Sequence, residues 1–289
     1  MYNVKSKRPS CSSCRRLLWR ARRLSSETLK DIWFGLRRKA PTARLVIVVG
    51  TSHRVGSTWL YQMLRDMTHC RLGRRKAPAE FLRFGTLILE QKVYEYLRQL
   101  KGHYIFKSHS LPPKSETQAM SATFVSIYRD PRDVLVSASF YLAHLEEEKG
   151  GWGQAFQALA ISERIRVLIE RSDLLTELEQ WFAVPFVHQT RYEDLVRQPV
   201  DELSRIAEWI GVPTTTKALE GIASRHSFES RSGRKQGDSC EQATLRKGIV
   251  GDWRNYFEPT LVTTFKTQRD GRWNRLLVSM GYECSLDWS

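Results

Sequence analysis

The stretch RLVIVVGTSHRVGSTWLYQMLRD, residues 44–66, decides the fold. Val46 to Val49 form an unbroken β-branched run, which suits a strand covered on both faces of a parallel sheet. Gly50, Thr51 and Ser52 begin a turn, and Gly56, Ser57 and Thr58 stand where the next helix leaves its first amides unpaired. Such a loop offers N–H groups, hydroxyls and the positive end of a helix dipole to an anion, and Arg54 adds a full charge. The chemistry is that of a phosphate or sulfate cradle. A nucleoside triphosphatase loop fits poorly, because it needs four residues between its glycines, then Lys and a hydroxyl residue. Here five residues separate Gly50 from Gly56, and Ser57 takes the lysine's place. The competing structural reading is a strand–turn–helix with a surface arginine.

At 289 residues the chain is long enough for one large α/β domain or two small ones. Its formal net charge of +15 points to an anionic partner. The charge is uneven: residues 1–40 hold 12 Lys and Arg against only Glu27 and Asp31, so about two-thirds of the excess lies there. Residues 1–40 read as a basic extension and 41–289 as the main domain. From Leu17 apolar residues recur at helical spacing, through Ala21, Leu24, Ile32 and Leu36, with arginines toward the other side. An amphipathic helix over 17–38 is expected, suited to an anionic membrane surface or to docking on the domain. The acid-free, Arg- and Ser-rich first 26 residues also resemble an organelle presequence. A cytoplasmic protein is expected, with membrane association or organelle targeting as the roles such an extension could add.

Cys11 and Cys14 form a lone CxxC without further ligands at zinc spacing, and Cys70, Cys240 and Cys284 stand isolated in the sequence. They read as thiols rather than a disulfide scaffold or a metal site. No apolar run approaches the ~20 residues of a membrane-spanning helix.

Downstream, strands are expected at 44–50, 103–108, 122–128 and 184–190. Helices are expected at 57–67, 79–100, 131–145, 154–171, 173–182, 196–211, 215–224 and 259–280. Alternation of this kind implies an α/β fold, a parallel sheet flanked by helices with ligands at the carboxyl ends of the strands. Residues 230–242, rich in Gly, Ser and charge, read as a lid or surface loop.

Four further segments fall where a strand ends or a loop begins. HYIFKSHSLPP (103–113) carries Lys107 and His109. SIYRDPRDVLVSASFYL (126–142) ends a strand with Arg129, opens a helix at Pro131 and places Ser137 eight residues beyond the arginine. VHQTRYEDL (187–195) presents Tyr192, and LRKGIVGDWRNYF (245–257) sets Arg246, Lys247 and Gly248 beside a second glycine turn.

These segments resemble those of cytosolic-type sulfotransferases, which use 3′-phosphoadenosine-5′-phosphosulfate (PAPS). TSHRVGSTW at 51–59 is similar to that family's TYPKSGTTW, and KSHSLP at 107–112 to its KTHLP. The Arg129–Ser137 spacing, YEDL at 192–195 and RKGIVGDWRN at 246–255 follow in the family's order, so the resemblance runs from about Arg44 to Tyr282. It implies a single-domain, P-loop-like sulfotransferase fold and a donor held at two ends. Arg54, Val55, Gly56, Ser57 and Thr58 would cradle the 5′-phosphosulfate, and Trp59 would stack on adenine. Arg129, Ser137, Arg246, Lys247 and Gly248 would serve the 3′-phosphate, with Tyr192 and Phe228 bordering adenine. His109 would be the general base, and Lys107 and Arg54 would stabilise the leaving oxygen. By analogy with phosphoryl transfer, no metal is required.

Two departures stand out: Arg54 replaces the family's lysine and Val55 its serine. The acceptor pocket is expected from 79–100 and 139–156, with Phe81, Phe84, Phe140, Tyr141 and Trp152, which suits a small-molecule or lipid-like hydroxyl acceptor. His53, His69, His103, His188 and His226 read as structural, and Trp253 as core. No specific nucleic-acid partner is expected. The rival functions are a P-loop kinase and a catalytically inactive anion-binding module.

Overall fold

A computed structural model describes residues 45–83, 85–112, 122–145, 152–241, 243 and 245–289. The basic extension, its amphipathic helix over 17–38, Cys11, Cys14 and Phe84 lie outside the described residues. Among the described residues no helix is long and apolar enough to cross a membrane. Cys284 is disulfide-bonded, a departure from the isolated thiol expected there.

The first strand, β1 (Leu45–Gly50), is buried at every position. Its side chains alternate between two cores. Val46 and Val48 pack with Leu60, Met63 and Leu64 of α1 (Ser57–Thr68), while Ile47 and Val49 face Phe106, Phe124 and Trp181 on the other side. Each fully buried Val or Ile contributes roughly 1.5–3 kcal/mol, so an apolar run covered on both faces belongs at the centre of the sheet. The strand lies between β5 (Tyr104–Ser108) and β6 (Thr123–Tyr128), parallel to both. Among the described residues seven strands form one sheet in the order β3 (Leu82–Arg83), β4 (Thr86–Leu87), β5, β1, β6, β7 (His188–Arg191), with β2 (Arg71–Leu72) also on β5.

Register places the chemistry. Val49 pairs with Ser108 and Gly50 with Ile127, so three neighbouring strands end together. The loop after β1, Lys107 on β5 with His109 just beyond it, and Arg129 after β6 therefore converge on one edge. Thr51 fastens the loop to β6, its Oγ1 donating to the Ile127 carbonyl at 2.7 Å. The helix after β6, α3 (Pro131–Leu145), follows α2 (Gln91–Gln99) in chain order and opens with proline, whose fixed φ suits a first helical position.

Several expected elements are corrected. The helix over 79–100 shrinks to α2, because β3 (Leu82–Arg83) and β4 (Thr86–Leu87) form an antiparallel hairpin on the sheet edge. Gly85, at φ 74°, makes that turn, and pairing of Leu87 with Ser108 outcompetes local helical spacing. The helix over 154–171 divides into α4 (Trp152–Ala158) and α5 (Ile161–Arg171). After α6 (Leu174–Phe182), the strand expected over 184–190 is only β7. The helix over 196–211 is two, α7 (Tyr192–Arg197) and α8 (Pro199–Ile210), since Pro199 starts a new helix. The helices α9 (Thr216–Arg225) and α10 (Phe228–Ser232) follow. The final helix, α11 (Pro259–Ser279), is broken at 268–271, where Arg269, Asp270 and Gly271 adopt left-handed φ.

Candidate functional site

The loop between β1 and α1 requires its glycines. A Cβ on Gly50 would lie 2.5 Å from the His109 ring, and one on Gly56, at φ +93°, would lie 2.9 Å from the Tyr192 ring. Arg54 also occupies the left-handed region, at φ 71°, which costs a non-glycine residue about 1–2 kcal/mol. Its Nε donates to Ser137 Oγ at 3.2 Å and its guanidinium lies 4.3 Å from the Tyr141 ring centre. Lys107 reaches across from β5 to donate to Thr58 Oγ1 at 2.7 Å.

The opposite end is built from α3 and the segment 245–257. Arg129 is buried; its Nη2 donates to the Ile249 carbonyl at 3.0 Å and pairs with Asp133 at 3.4 Å. Asp133 in turn accepts from the Gly251 and Trp253 amides at 2.8 and 2.9 Å, tying this segment to the start of α3. Arg129 thus pairs with Asp133, while Asp130 pairs with Arg132. Arg246 bonds Asp252 and lies 4.4 Å over the Phe140 ring, and Lys247 donates to the same carboxylate at 3.0 Å. The Nε atoms of Arg129 and Arg246 are buried without hydrogen-bond partners.

One cavity of about 560 Å³ joins the two ends. Of the residues singled out from the sequence, Arg54, Gly56, Ser57, Thr58, Trp59, Lys107, His109, Arg129, Ser137, Tyr192, Phe228, Arg246, Lys247 and Gly248 all line it. Val55 does not: its side chain is fully buried in the core, which leaves only its main chain to serve a ligand. Trp59 is held by its Nε1 donating to the His226 carbonyl at 2.7 Å and meets Tyr192 edge-on at 5.8 Å. Phe228 packs on Gly248, where a Cβ would stand 2.2 Å away.

The acceptor-pocket expectation is corrected in part. Tyr141 lines the cavity, Phe140 lies beneath Arg246 at a small recess beside Arg54, and the half-buried Phe81 packs against Tyr96. The Trp152 side chain lies outside the described part. Residues 233–241 are pinned rather than loose: Arg234 donates to the Asp238, Leu245 and Arg246 carbonyls, and Gln236 to the Gly248 carbonyl. Trp253 is core, with the Arg132 guanidinium 3.6 Å from its ring.

Sequence reasoning missed several lining residues, among them His53, His226 and Arg231. Only position within the 51–59 loop could have flagged His53. It also missed Glu193, a buried brace that accepts from the Asp130 amide at 3.1 Å and the Tyr282 hydroxyl at 2.8 Å.

Burial and mutual repulsion set the electrostatics. Burial, then Lys107 and His53, brings His109 down to about 3. Burial, then Arg54, brings Lys107 down to about 8. Arg54 falls to about 10, chiefly through burial and further through Arg129 and Arg246. Cations crowded against one another in this way favour an anion between them. Burial opposes the Arg129 charge, yet Asp133, Tyr192, Glu193 and Asp130 outweigh it and leave its pKa raised. Among the described residues no group of three or more His, Cys, Asp or Glu is placed to hold a metal.

Residues 44–269 match the family model described as "Sulfotransferase domain", and the chain belongs to that family. It is 23% identical to sulfotransferase 1A1 of Bos taurus over 235 residues, 73% of this chain and 77% of that protein. It is 24% identical to sulfotransferase 1B1 of Mus musculus over 244 residues, 76% and 79% of the two chains. The fold is similar to that of mouse sulfotransferase SULT7A1 complexed with PAP, at a TM-score of 0.52 and 18% identity, covering 77% and 82% of the two chains. It is also similar to that of retinol dehydratase in complex with androsterone and PAP, at a TM-score of 0.51 and 16% identity, covering 78% and 81%.

Proposed function

We propose that this sulfotransferase moves a sulfuryl group from PAPS to a hydroxyl of a small-molecule or lipid-like acceptor, with His109 as general base. The observation that carries the reading is one cavity with cations at both ends and aromatic side chains between them. Relatives bound to PAP fit that arrangement. Arg129, Ser137, Arg246, Lys247 and Gly248, all of which line the cavity, would hold the 3′-phosphate through charge-assisted hydrogen bonds. Trp59, Tyr192 and Phe228 offer faces and edges suited to a purine. Arg54, Ser57, Thr58 and the amides of 55–58 would hold the 5′ group at the start of α1.

In the transfer step the acceptor oxygen forms a bond to sulfur as the bond from sulfur to the bridging oxygen breaks. The acceptor proton passes to His109, and the charge left on the bridging oxygen faces Lys107 and Arg54. Lowered to about 3 in the free protein, His109 is unprotonated at neutral pH but a weak base, and the negative charge of a bound donor beside it would raise its affinity for the proton. Preorganised cations aimed at the developing charge supply the electrostatic part of the rate.

Calorimetric titration tests the reading. Adenosine 3′,5′-bisphosphate is expected to bind at least about 100-fold more tightly than ATP, the gain of two charge-assisted contacts to a 3′-phosphate. Tighter binding of ATP would instead support a kinase. His109→Ala is expected to lower transfer by about 10²–10⁴-fold while bisphosphate affinity survives; unchanged turnover would remove His109 from its role.

A further inference from the structure

His109 does not stand alone. The ring of His53 stacks on it, with centroids 4.7 Å apart and planes inclined by 21°. Both rings line the cavity, His53 on its exposed side and His109 further in. The other constraint on His109 is the Gly50 backbone, close enough that a Cβ there would meet the ring at 2.5 Å from Cε1 and 2.8 Å from Nδ1. Nδ1 is buried against that backbone, which is its polar neighbour. Nε2 is thus the nitrogen left open to the cavity. Among the described residues no carboxylate bonds either nitrogen of His109, so its orientation does not depend on an acidic partner there. The Gly50 backbone, the polar partner of Nδ1, holds one edge of the ring, and the stacked His53 ring holds its face. Burial and then the Lys107 charge lower both imidazoles below their ordinary value, so the stack is one of two neutral rings, free of mutual repulsion near pH 7.

We infer that His53 is a positioning residue for sulfuryl transfer: its ring fixes the plane of the His109 imidazole, so that Nε2 meets the acceptor hydroxyl in line with the sulfur. The inference rests on the proposed role of His109 as base. It assigns to His53 the steric work of a flat ring, with no proton of its own in the reaction. An imidazole free to rotate presents Nε2 in the productive direction for only part of the time, and misplacement of a catalytic group by even 1 Å lowers rates by up to about 10²-fold.

Two variants separate this role from others: His53→Ala removes the ring, and His53→Phe keeps a flat ring without ionisable nitrogens. The readout is release of adenosine 3′,5′-bisphosphate from PAPS, with 2-naphthol as acceptor and with water alone, beside calorimetric bisphosphate affinity. His53→Ala is expected to lower kcat about tenfold in whichever reaction the wild type performs, with donor KM and bisphosphate Kd within about twofold. His53→Phe is expected to recover most of the rate. Wild-type kcat in His53→Ala overturns the inference, as does an equal fall in both variants, which would assign the work to the imidazole nitrogens. A fall in bisphosphate affinity matching the fall in rate overturns it too, since His53 would then be a donor contact. If the wild type binds the bisphosphate but releases none from PAPS, the transfer reading fails and takes this inference with it.

Discussion

Lys107 has the property on which the pH dependence of the site turns. Burial and the Arg54 guanidinium lower it to about 8, so in the free protein it is charged at pH 7 and loses its proton as pH rises through that value. His109 is neutral across the same range. Because kcat/KM reports groups of the free enzyme, its value for the donor is expected to stay level between about pH 5 and 7.5 and to fall above about pH 8. Lys107→Arg keeps the charge and is expected to move that limb upward by about one unit or more; a limb that stays in place belongs to another group. Arg246 permits a cleaner substitution than Arg129. Removing Arg129 strips the partner from a fully buried Asp133, whereas Asp252 keeps Lys247 and Asn255 when Arg246 is replaced. Arg246→Met is therefore expected to weaken adenosine 3′,5′-bisphosphate about 10²-fold by calorimetry and adenosine 5′-phosphate much less. An equal loss for both nucleotides would detach Arg246 from the 3′-phosphate.

At the scale of elements, close approaches decide which glycines are needed. Gly248 has φ +68° and a Cβ there would stand 2.2 Å from the Phe228 ring, so Gly248→Ala must displace the first residue of α10 from the cavity wall. Bisphosphate affinity is expected to drop about tenfold or more, and wild-type affinity would show that Phe228 does not border the nucleotide. The same scale explains what was legible in the sequence. The central strands could be read because Val46 to Val49 are apolar on both faces and close on Gly50, and because the largely apolar run Phe124 to Tyr128 closes on Arg129. The hairpin at 82–87 could not be read, since its apolar residues also fit helical spacing and only pairing with β5 selects the strand. Likewise Val55 sits between ligand-facing residues yet turns into the core, and His53 gains its meaning from His109, 56 positions away. Glu193 lies inside YEDL, where nothing nearby in sequence reveals its distant partners, yet the Asp130 amide and the Tyr282 hydroxyl converge on it beside the neighbouring Arg191.

Across the whole molecule, the wall that carries Arg246 is held from behind by residues near the far end of the chain. Arg132, 1% exposed, bonds Asp130 and Glu283 and lies between the Trp253 and Trp288 rings, 3.6 and 4.6 Å from their centres. Trp288 meets Trp253 at 5.8 Å and Phe265 at 6.0 Å, and its Nε1 donates to Asn274 Oδ1 at 2.7 Å. Trp253 in turn hangs its amide on Asp133, the partner of Arg129. Residues 281–288 thus act as a wedge under the segment from Arg246 to Asn255, and packing links them to both arginines of the 3′-phosphate end. Trp288→Ala empties the wedge and leaves Asn274 Oδ1 without its donor, so it is expected to cost about 3 kcal/mol in urea unfolding. It is also expected to weaken the bisphosphate several-fold although Trp288 does not line the cavity. Trp288→Phe keeps the ring contacts and loses mainly one hydrogen bond, about 1 kcal/mol, with affinity close to wild type. An unfolding midpoint unchanged in Trp288→Ala would sink the wedge. A lower midpoint with unchanged affinity would confine Trp288 to the fold and leave the arginines held by Asp133 and Asp252 alone.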